Sequence, residues 1–343
     1  MKILIIGGGL IGRERLDALK LISTNFSLDI DITVVDSNQE TLSFVKEKYN
    51  CTCASKITDL TSNSYDWVFV STPHSEAVDL IIESYQIAKN ILVEKPLGRN
   101  LEECNMIIDN KPQNVNLYVG LNYRFYRGIN QLLNHVKEGF FGDIISVNMI
   151  LGHGNSPGME KSWKLDPIMC GGGCLIDPGV HLLDLAIIIS GSELKVNGGS
   201  YWDGFWKTGI EEEVHICLDN KNETIFNIQT SLNRWKSTFR IEVNGSDGYG
   251  IVTGRGRSYG NQEYITGKRW GWQSGVSQTE SEYHHLDNYS ADDSFYECMI
   301  ALFSLESTQI TNNIIRPATE VDGKNVMRLL KDCRESLDLN DSC

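Results

Sequence analysis

A histidine lies between two carboxylates in a glycine-rich stretch near the middle of the chain. Asp177 and His181 are four residues apart, so they share one face if the segment is helical. A histidine with a carboxylate partner is a common acid–base pair near neutral pH. Asp184 follows three residues later and could orient the imidazole, and the glycines at 171–173 would let a substrate approach the backbone. We therefore predict proton transfer here; the competing interpretation is a capped helix start with a structural core histidine.

A lysine follows a short apolar run in the motif Glu94-Lys95-Pro96. A buried ammonium can hydrogen-bond a reacting oxygen and, with a lowered pKa, share its proton. We predict that Lys95 is catalytic and that Glu94 lies beside the cofactor. Because the trans preference of an X-Pro bond is weak, the Lys95–Pro96 peptide is a candidate for the cis form.

The first residues of the chain form a pattern typical of a dinucleotide site. Gly7-Gly8-Gly9-Leu10-Ile11-Gly12 follows a predicted strand and opens a predicted helix, and Asp36 ends the second strand. In this context Gly7 permits the turn, Gly9 lets the pyrophosphate approach, and Gly12 allows close helix–strand packing. Asp36 would bind the ribose hydroxyls and repel a 2′-phosphate, and no arginine follows it. The sequence therefore predicts NAD rather than NADP, with Leu10 and Ile11 also at the cofactor.

A second polar turn, Ser71-Thr72-Pro73-His74, follows the predicted strand Trp67–Val70. The carboxyl ends of parallel strands form the edge at which cofactors bind in open α/β folds. We therefore predict that Ser71, Thr72, Pro73 and His74 lie at the cofactor; the alternative is a strand-terminating turn, which a proline favours in any case.

These groups need a scaffold, and the hydrophobic periodicity describes one. Up to about residue 122, buried-strand patterns alternate with helical ones, as in βαβ units. The predicted strands are Lys2–Ile6, Ile30–Val35, Trp67–Val70, Ile91–Val93 and Asn116–Val119, and the predicted helices are Leu10–Ile22, Asn38–Tyr49, Ser75–Ala88 and Leu101–Asp109. The fold class is α/β, with an N-terminal Rossmann domain, 1–122, built on a doubly wound parallel sheet.

After residue 122 the pattern changes to longer alternating segments, which are typical of antiparallel strands with one face covered. The predicted strands are Ile144–Leu151, Glu212–Cys217, Thr224–Ser231 and Phe239–Val243, with helices at Arg127–Lys137, Ala291–Leu305 and Thr319–Ser336. We predict a second domain, 123–343, of the α+β class with a mostly antiparallel sheet.

The overall composition excludes several classes of protein. The chain has 343 residues and a formal net charge of -14, which argues against nucleic-acid and anionic-membrane partners. Its nine cysteines, an odd number without zinc-finger spacing, indicate free thiols and no metal site. The start of the chain is a strand rather than a signal peptide, and no apolar run could span a membrane. We expect a cytoplasmic protein.

One basic and aromatic stretch contrasts with the acidic chain. It runs from Arg255 and Arg257 through Tyr264 to Trp272. Arginine binds phosphate in a bidentate manner and aromatic rings stack on bases or sugars, which favours a nucleotide-linked sugar. The alternative is an extended loop at a subunit interface, where these residue types are also enriched. Further candidates to line the substrate pocket are Arg124, Tyr126, Trp163 and Lys164.

Taken together, these motifs resemble the glucose–fructose oxidoreductase / inositol dehydrogenase / rhizopine catabolism (Gfo/Idh/MocA) family. The resemblance rests on GGGLIG (7–12), VVD (34–36), STP (71–73), VEKPLG (93–98), GLNYRF (120–125), EGFFGDI (138–144) and GGGCLIDPGVHLLDL (171–185). It implies that Lys95, Asp177 and His181 form the catalytic set, with the histidine as acid/base on the substrate hydroxyl. It also implies that the second domain carries a large, open sheet and binds substrate, and that the protein forms dimers or tetramers that associate through this sheet.

Two positions depart from the family pattern, Ala77 where a histidine is common and Gly128 where a proline is common. Neither belongs to the catalytic set, although substrate contacts can differ. The leading hypothesis is hydride transfer between NAD and a ring hydroxyl or keto carbon of a sugar, including a nucleotide-linked sugar in surface-polysaccharide or unusual-sugar biosynthesis. The alternatives are an inositol or free-sugar dehydrogenase in catabolism, an NAD-dependent glycosidase of the same fold, and a non-enzymatic NAD-sensing regulator.

Overall fold

The computed structural model of the chain describes residues 1–60, 64–270, 279–283, 293–306 and 315–339. Their packing forms two compact units. The first contains the described residues of Met1–Asn122 and Asn288–Asn325, and the second those of Tyr123–Asp287 and Val326–Cys343. The sequence predicted domains at 1–122 and 123–343. In the structure, the described part of Asn288–Asn325 packs with the first unit, because it adds a strand and a helix there.

The first unit is built on a seven-stranded sheet in the order β3-β2-β1-β4-β5-β6, with β15 added beside β6. The strands are β1 Lys2–Ile6, β2 Asp31–Val35, β3 Thr52–Ala54, β4 Tyr65–Val70, β5 Ala88–Val93, β6 Asn116–Val119 and β15 Ala318–Thr319. All pairs are parallel except β15 with β6. This is the Rossmann strand order, so the predicted doubly wound sheet is confirmed.

Helices connect these strands as the periodicity predicted. They are α1 Leu10–Phe26, α2 Gln39–Tyr49, α3 His74–Ser84 and α4 Leu101–Asp109, joined by α8 Asp293–Ser304. The side chains of Asn38 and Asn100 accept backbone N–H groups at the starts of α2 and α4, which explains where these helices begin. The prediction that α3 continues to Ala88 is wrong, because Ala88 already begins β5.

The second unit is built on an eight-stranded sheet in the order β14-β13-β12-β11-β7-β10-β9-β8. The strands are β7 Ile144–Gly152, β8 Leu194–Trp202, β9 Glu213–Asn220, β10 Ile225–Ser231, β11 Thr238–Gly245, β12 Gly248–Thr253, β13 Gln262–Lys268 and β14 Thr279–Tyr283. Only β7 and β10 pair in parallel, so the predicted mostly antiparallel sheet is confirmed.

One face of this second sheet is covered and the other is open, as the alternation predicted. In β7, Val147, Met149 and Leu151 are buried, whereas Asn148 and Ile150 are partly exposed. Two helices, α5 Arg127–Lys137 and α7 Val180–Ser190, pack against strands of this sheet. The unit also contains the short helix α6 Pro167–Cys170, and α9 Glu320–Ser336 has residues in both units.

The basic and aromatic stretch is not one extended loop. Residues 262–268 form β13, whose alternating residues Gln262, Tyr264 and Thr266 are buried. The stretch therefore divides into a turn around Arg255 and a separate end after Lys268. Trp272 lies outside the described residues, as does Ala291 at the predicted start of α8. In the part of the chain that the structure describes, no helix is long and apolar enough to span a bilayer.

Candidate active site

The glycine turn of the first unit is shaped by two close backbone approaches. Gly7 has φ +96°, and a Cβ there would lie 2.5 Å from the Ser71 carbonyl oxygen. A Cβ at Gly12 would lie 2.0 Å from the Gly7 carbonyl oxygen. A Cβ at Gly9, just before α1 begins at Leu10, would meet nothing within 4 Å. The turn thus requires Gly7 and the helix packing requires Gly12. Gly9 leaves open space at the N-terminus of α1, the kind of position at which a pyrophosphate binds.

Asp36 lies against this turn at the end of β2. Its carboxylate accepts the backbone N–H of Gly8 at 2.8 Å and that of Asn38 at 2.8 Å. The two hydrogen bonds fix the carboxylate beside the glycine turn, and the side chain is only partly buried. This is the position from which an acidic residue can reach the ribose hydroxyls of NAD.

The turn after β4 also meets the glycine turn. Ser71 Oγ and Thr72 Oγ1 are both buried and have no hydrogen-bond partner among the described residues. Pro73 occupies the N-cap position of α3, and His74 is the first, buried residue of that helix. Buried hydroxyls usually have partners, so two such groups beside the open glycine fit a polar ligand. The residues present therefore fit a dinucleotide.

Glu94 and Lys95 follow β5 at the same edge of the sheet. The Lys95–Pro96 peptide is cis, the form that the sequence made a candidate. Glu94 Oε1 accepts the Nε–H of Arg15 at 2.8 Å, and Arg15 is fully buried in α1 with its guanidinium over the ring of Phe295 at 4.5 Å. Burial lowers the pKa of Arg15, but Glu94 and then Cys298 raise it above its ordinary value. The arginine holds the Glu94 carboxylate in place, a contact that the sequence did not predict.

In the second unit, His181 is the second residue of α7 and is 4% exposed. Its imidazole stacks on the ring of Tyr123, with the centroids 3.7 Å apart and the planes at 9°. Asp177 precedes the helix and is followed by a cis Asp177–Pro178 peptide. The two residues therefore do not share a helical face, because α7 begins only at Val180.

Asp177 is bound instead by a lysine from the preceding turn. Lys164 Nζ lies 3.1 Å from Asp177 Oδ2. Asp177 raises the pKa of Lys164 above its ordinary value, against the opposing effect of burial. Trp163 lies beside the pair, with its ring centroid 5.9 Å from Lys164 Nζ. The structure thus brings together three residues that the sequence analysis placed at the substrate.

Arg124 and Asp184 form a buried ion pair. The Nε–H of Arg124 donates to Asp184 Oδ2 at 2.7 Å, and both side chains are 2% exposed. Arg124 was predicted to line the substrate pocket and Asp184 to orient His181. Because each binds the other deep in the unit, we propose a structural role for the pair, while the predicted roles of Arg124 at the substrate and of Asp184 toward His181 stay predictions.

The glycines before Asp177 pack against protein groups rather than opening toward a substrate. A Cβ at Gly173 would lie 1.9 Å from the Glu211 carbonyl oxygen, and one at Gly172 would lie 1.6 Å from Arg334 Nη2. The Glu211 carboxylate also accepts the backbone N–H of Gly173 at 3.0 Å and that of Leu175 at 3.2 Å. Their small size is therefore explained by packing, which corrects the prediction that they admit substrate.

Three tyrosines surround Arg255. Its guanidinium carbon lies 3.9 Å from the ring centroid of Tyr259 and 5.2 Å from that of Tyr123. Its Nη1 donates to the hydroxyl of Tyr126 at 3.1 Å. Burial lowers the pKa of Arg255, but the three tyrosines raise it by more, so the guanidinium stays charged. We call Tyr123, Tyr126 and Tyr259 the tyrosine cage. Sequence analysis missed Tyr123, whose only signal was its position in the family motif.

The rest of the basic stretch lies elsewhere in the unit. Arg257 is exposed at the turn that follows Arg255. Tyr264 is 1% exposed, and its hydroxyl lies 2.6 Å from His135 Nδ1. Lys268 is the last residue of β13. At about 3.3 Å per residue, it lies about 20 Å from Gln262 at the start of that strand. Among the described residues of the stretch, Arg255 and Tyr259 lie with His181, since the Arg255 guanidinium lies beside both Tyr259 and the Tyr123 ring on which His181 stacks.

Two family models match the chain. Residues 1–121 match the oxidoreductase family with an NAD-binding Rossmann fold, and residues 129–250 match the GFO/IDH/MocA C-terminal domain. The myo-inositol 2-dehydrogenase of Thermotoga maritima is 30% identical over 72% of this chain and 74% of its own length. The levoglucosan dehydrogenase of Pseudarthrobacter phenanthrenivorans is 24% identical over 56% of this chain. The match covers 52% of that relative, so this chain spans about half of its length.

Solved structures share the fold over nearly the whole chain. An oxidoreductase from Agrobacterium radiobacter in complex with NAD+, L-tartaric acid and magnesium has a TM-score of 0.80 at 15% identity, covering 98% of this chain and 96% of its own. The WlbA dehydrogenase from Bordetella pertussis in complex with NADH and UDP-GlcNAcA has a TM-score of 0.76 at 15% identity, with coverages of 98% and 96%. The chain therefore belongs to the GFO/IDH/MocA family of oxidoreductases and carries an NAD-binding Rossmann fold in its first unit.

Proposed function

We propose that this protein transfers a hydride between NAD and a ring hydroxyl or keto carbon of a sugar. The observation that carries the proposal is the His181 site, a buried imidazole held flat against Tyr123 in a family of NAD-binding oxidoreductases. Relatives named myo-inositol 2-dehydrogenase, levoglucosan dehydrogenase and glucose-6-phosphate 3-dehydrogenase support a sugar or cyclitol substrate.

The cofactor would be held by groups of the first unit. Asp36 would accept the ribose hydroxyls, and the N-terminus of α1 beside Gly9 would receive the pyrophosphate. Ser71 Oγ and Thr72 Oγ1 would hydrogen-bond polar groups of the dinucleotide. When bound, NAD would supply the hydride acceptor for the oxidation, and its reduced form would supply the hydride donor in the reverse direction.

The protein's own groups would move the proton. His181 takes the hydroxyl proton as the C–H bond gives up its hydride, so the alcohol loses one proton and one hydride and becomes a carbonyl. In this proposal Lys95 stabilises the negative charge that develops on the oxygen. Asp177, which Lys164 holds in place, would position the substrate or the ammonium group of Lys95.

The test is the substitution of His181. His181→Ala should lower turnover by roughly 10²–10⁴-fold and leave the Kd for NAD nearly unchanged, because the base is lost and the glycine turn is not. His181→Gln, which keeps more of the side-chain volume, separates lost chemistry from lost packing. A fully active His181→Ala protein would sink the assignment.

The choice between nucleotide-linked and free sugars is a second question. A nucleotide-linked sugar is favoured by Arg255 among aromatic rings and by a structural neighbour that binds UDP-GlcNAcA. A thermal-shift series with NAD plus nucleotide sugars, inositols or free hexoses would decide it, since a ligand that binds only the folded state raises the Tm. Shifts by free sugars or cyclitols alone would favour the catabolic dehydrogenase.

We also propose that copies of the chain associate through the open face of the second sheet and that the protein is cytoplasmic. A groove of about 370 Å³ crosses this face, between β7, β8, β9 and β10. Its walls include Asn148, Ile150, Cys217 and Asn227, so it mixes apolar and uncharged polar groups, as interfaces between copies do.

A further inference from the structure

Arg255 is a charged group whose neighbours among the described residues are tyrosines rather than a carboxylate. It is partly buried, and its Nε is buried without an acceptor among the described residues. Its Nη1 donates to a neutral tyrosine hydroxyl, and two aromatic rings lie beside the guanidinium. Among the side chains that the structure describes, no carboxylate lies within ion-pair distance of it.

Neighbouring cations of the same unit are placed differently. Lys164 lies 3.1 Å from Asp177, and Arg124 donates to Asp184. Taking a cation out of water is costly unless an anion or several strong hydrogen bonds compensate. Cation–π contacts with the tyrosine cage compensate in part. The bidentate geometry of a guanidinium would be completed by a carboxylate or phosphate.

The Arg255 site adjoins the proposed chemistry. The imidazole of His181 lies 3.7 Å from the ring of Tyr123, and the guanidinium carbon lies 5.2 Å from the same ring. The two groups are therefore within about 9 Å of each other. A sugar ring with one substituent is long enough to span such a distance, so the ligand that the proposal requires is compact.

We infer that the substrate is an acidic sugar, one that carries a carboxylate or a phosphate, and that Arg255 in the tyrosine cage binds this anionic group. The inference rests on the proposed function and specifies the substrate class of the same site. The anion supplies the counter-charge that Arg255 lacks, and the tyrosine cage holds the guanidinium in place, so that little conformational entropy is lost on binding. The bound anionic group also fixes the position of the reacting carbon relative to His181.

The experiment compares matched sugars that differ in charge. NAD reduction by the wild-type protein is measured with glucose, glucuronate, glucose 6-phosphate, UDP-glucose and UDP-glucuronate, and with the corresponding inositol and inositol phosphate. We expect at least one anionic sugar to give a higher kcat/KM than its neutral counterpart. The uronate and phosphate arms identify the anion, and the UDP arms show whether a nucleotide supplies it.

Variants then assign the effect to Arg255. Arg255→Met should lower kcat/KM for the anionic sugar by about 30-fold or more while changing that for the neutral sugar by less than about threefold. Arg255→Lys keeps the positive charge but loses the planar guanidinium, so its kcat/KM for the anionic sugar should lie between those of the wild type and of Arg255→Met. It also serves as the test variant if Arg255→Met folds poorly. Arg328→Met, at an exposed position of α9, is the matched control and should behave as wild type.

The possible failures are distinguishable. An equal loss for neutral and anionic sugars in Arg255→Met would make Arg255 a structural residue and overturn the inference. A wild-type preference for neutral sugars would also overturn it and would leave the dehydrogenase proposal standing. If no sugar is turned over in either direction, the proposed function fails; a Tm shift by glucuronate or inorganic phosphate that Arg255→Met abolishes would still establish the anion site.

Discussion

We propose that Asp36 favours NAD over NADP. Its carboxylate is fixed by the N–H groups of Gly8 and Asn38. We expect Asp36→Ser combined with Ser37→Arg to raise the Kd for NAD and lower that for NADP, because the repulsive charge is removed and a cation is added for the 2′-phosphate. Titration of the protein with each cofactor measures both constants, with Glu47→Ser as a control in α2. Unchanged NAD affinity would exclude Asp36 from the ribose site.

The buried pair of Arg124 and Asp184 belongs to the stability of the second unit. Asp184→Asn leaves a buried guanidinium without its counter-charge, which typically costs about 3–5 kcal/mol. We expect a marked fall in the Tm of the variant. The double variant Arg124→Met, Asp184→Leu should recover much of the loss, because both charges are gone.

A surface pair provides the comparison. Lys331 and Glu335 lie 3.5 Å apart on α9 and are both exposed. Glu335→Gln should change the free energy of unfolding by no more than about 0.5 kcal/mol. Equal effects of Asp184→Asn and Glu335→Gln would contradict the structural role assigned to the buried pair.

The site residues predicted from the sequence stand in short motifs. Lys95, Asp177, His181 and Asp36 follow strands or glycines that mark them, and for Asp36 the structure adds its contact with the glycine turn. The tyrosine cage could not be predicted in this way, because its members come from segments that are more than a hundred residues apart and meet only through the fold. For the same reason the partner of Glu94, Arg15 in α1, was not foreseen.

At the scale of elements, the glycine turn between β1 and α1 separates binding from folding. Gly9→Ala adds a methyl group to open space, so we expect an unchanged Tm and a clearly weaker affinity for NAD, because the methyl group occupies the approach of the pyrophosphate. Gly12→Ala is the matched variant; its Cβ would collide with the Gly7 carbonyl oxygen, and the Tm should fall. Undiminished NAD binding by Gly9→Ala would place the pyrophosphate elsewhere.

The strands of the second sheet show why some elements escaped prediction. β8 reads LKVNGGSYW and lies at the edge of the sheet, where most of its side chains are exposed and no clear alternation arises. β13 does alternate between buried and exposed residues, but the glycine-rich turns before it are typical of a loop, so the strand was not predicted. In contrast, β7 and β10 lie in the middle of the sheet, and burial of one face produces the alternation of apolar and polar residues from which they were predicted.

At the scale of the molecule, the two units carry different parts of the proposed activity, one the cofactor turn and the other His181 and Arg255. The family relationship agrees with this division, since separate family models match 1–121 and 129–250. In this proposal the second unit selects the substrate, and relatives of the chain carry names as different as myo-inositol 2-dehydrogenase and levoglucosan dehydrogenase.

The open face of the second sheet provides the last test. Asn227 is exposed on β10 in the groove of this face and donates to Asn148 at 3.0 Å. If two copies associate there, Asn227→Arg places like charges opposite each other at a desolvated position, and we expect the mass measured by light scattering to fall from that of a dimer or tetramer toward one chain of 38.6 kDa. Glu47→Arg, on α2 of the first unit, should leave the mass unchanged. A wild-type monomer, or an Asn227→Arg variant that keeps the full assembly, would show that copies of the chain do not associate through this face.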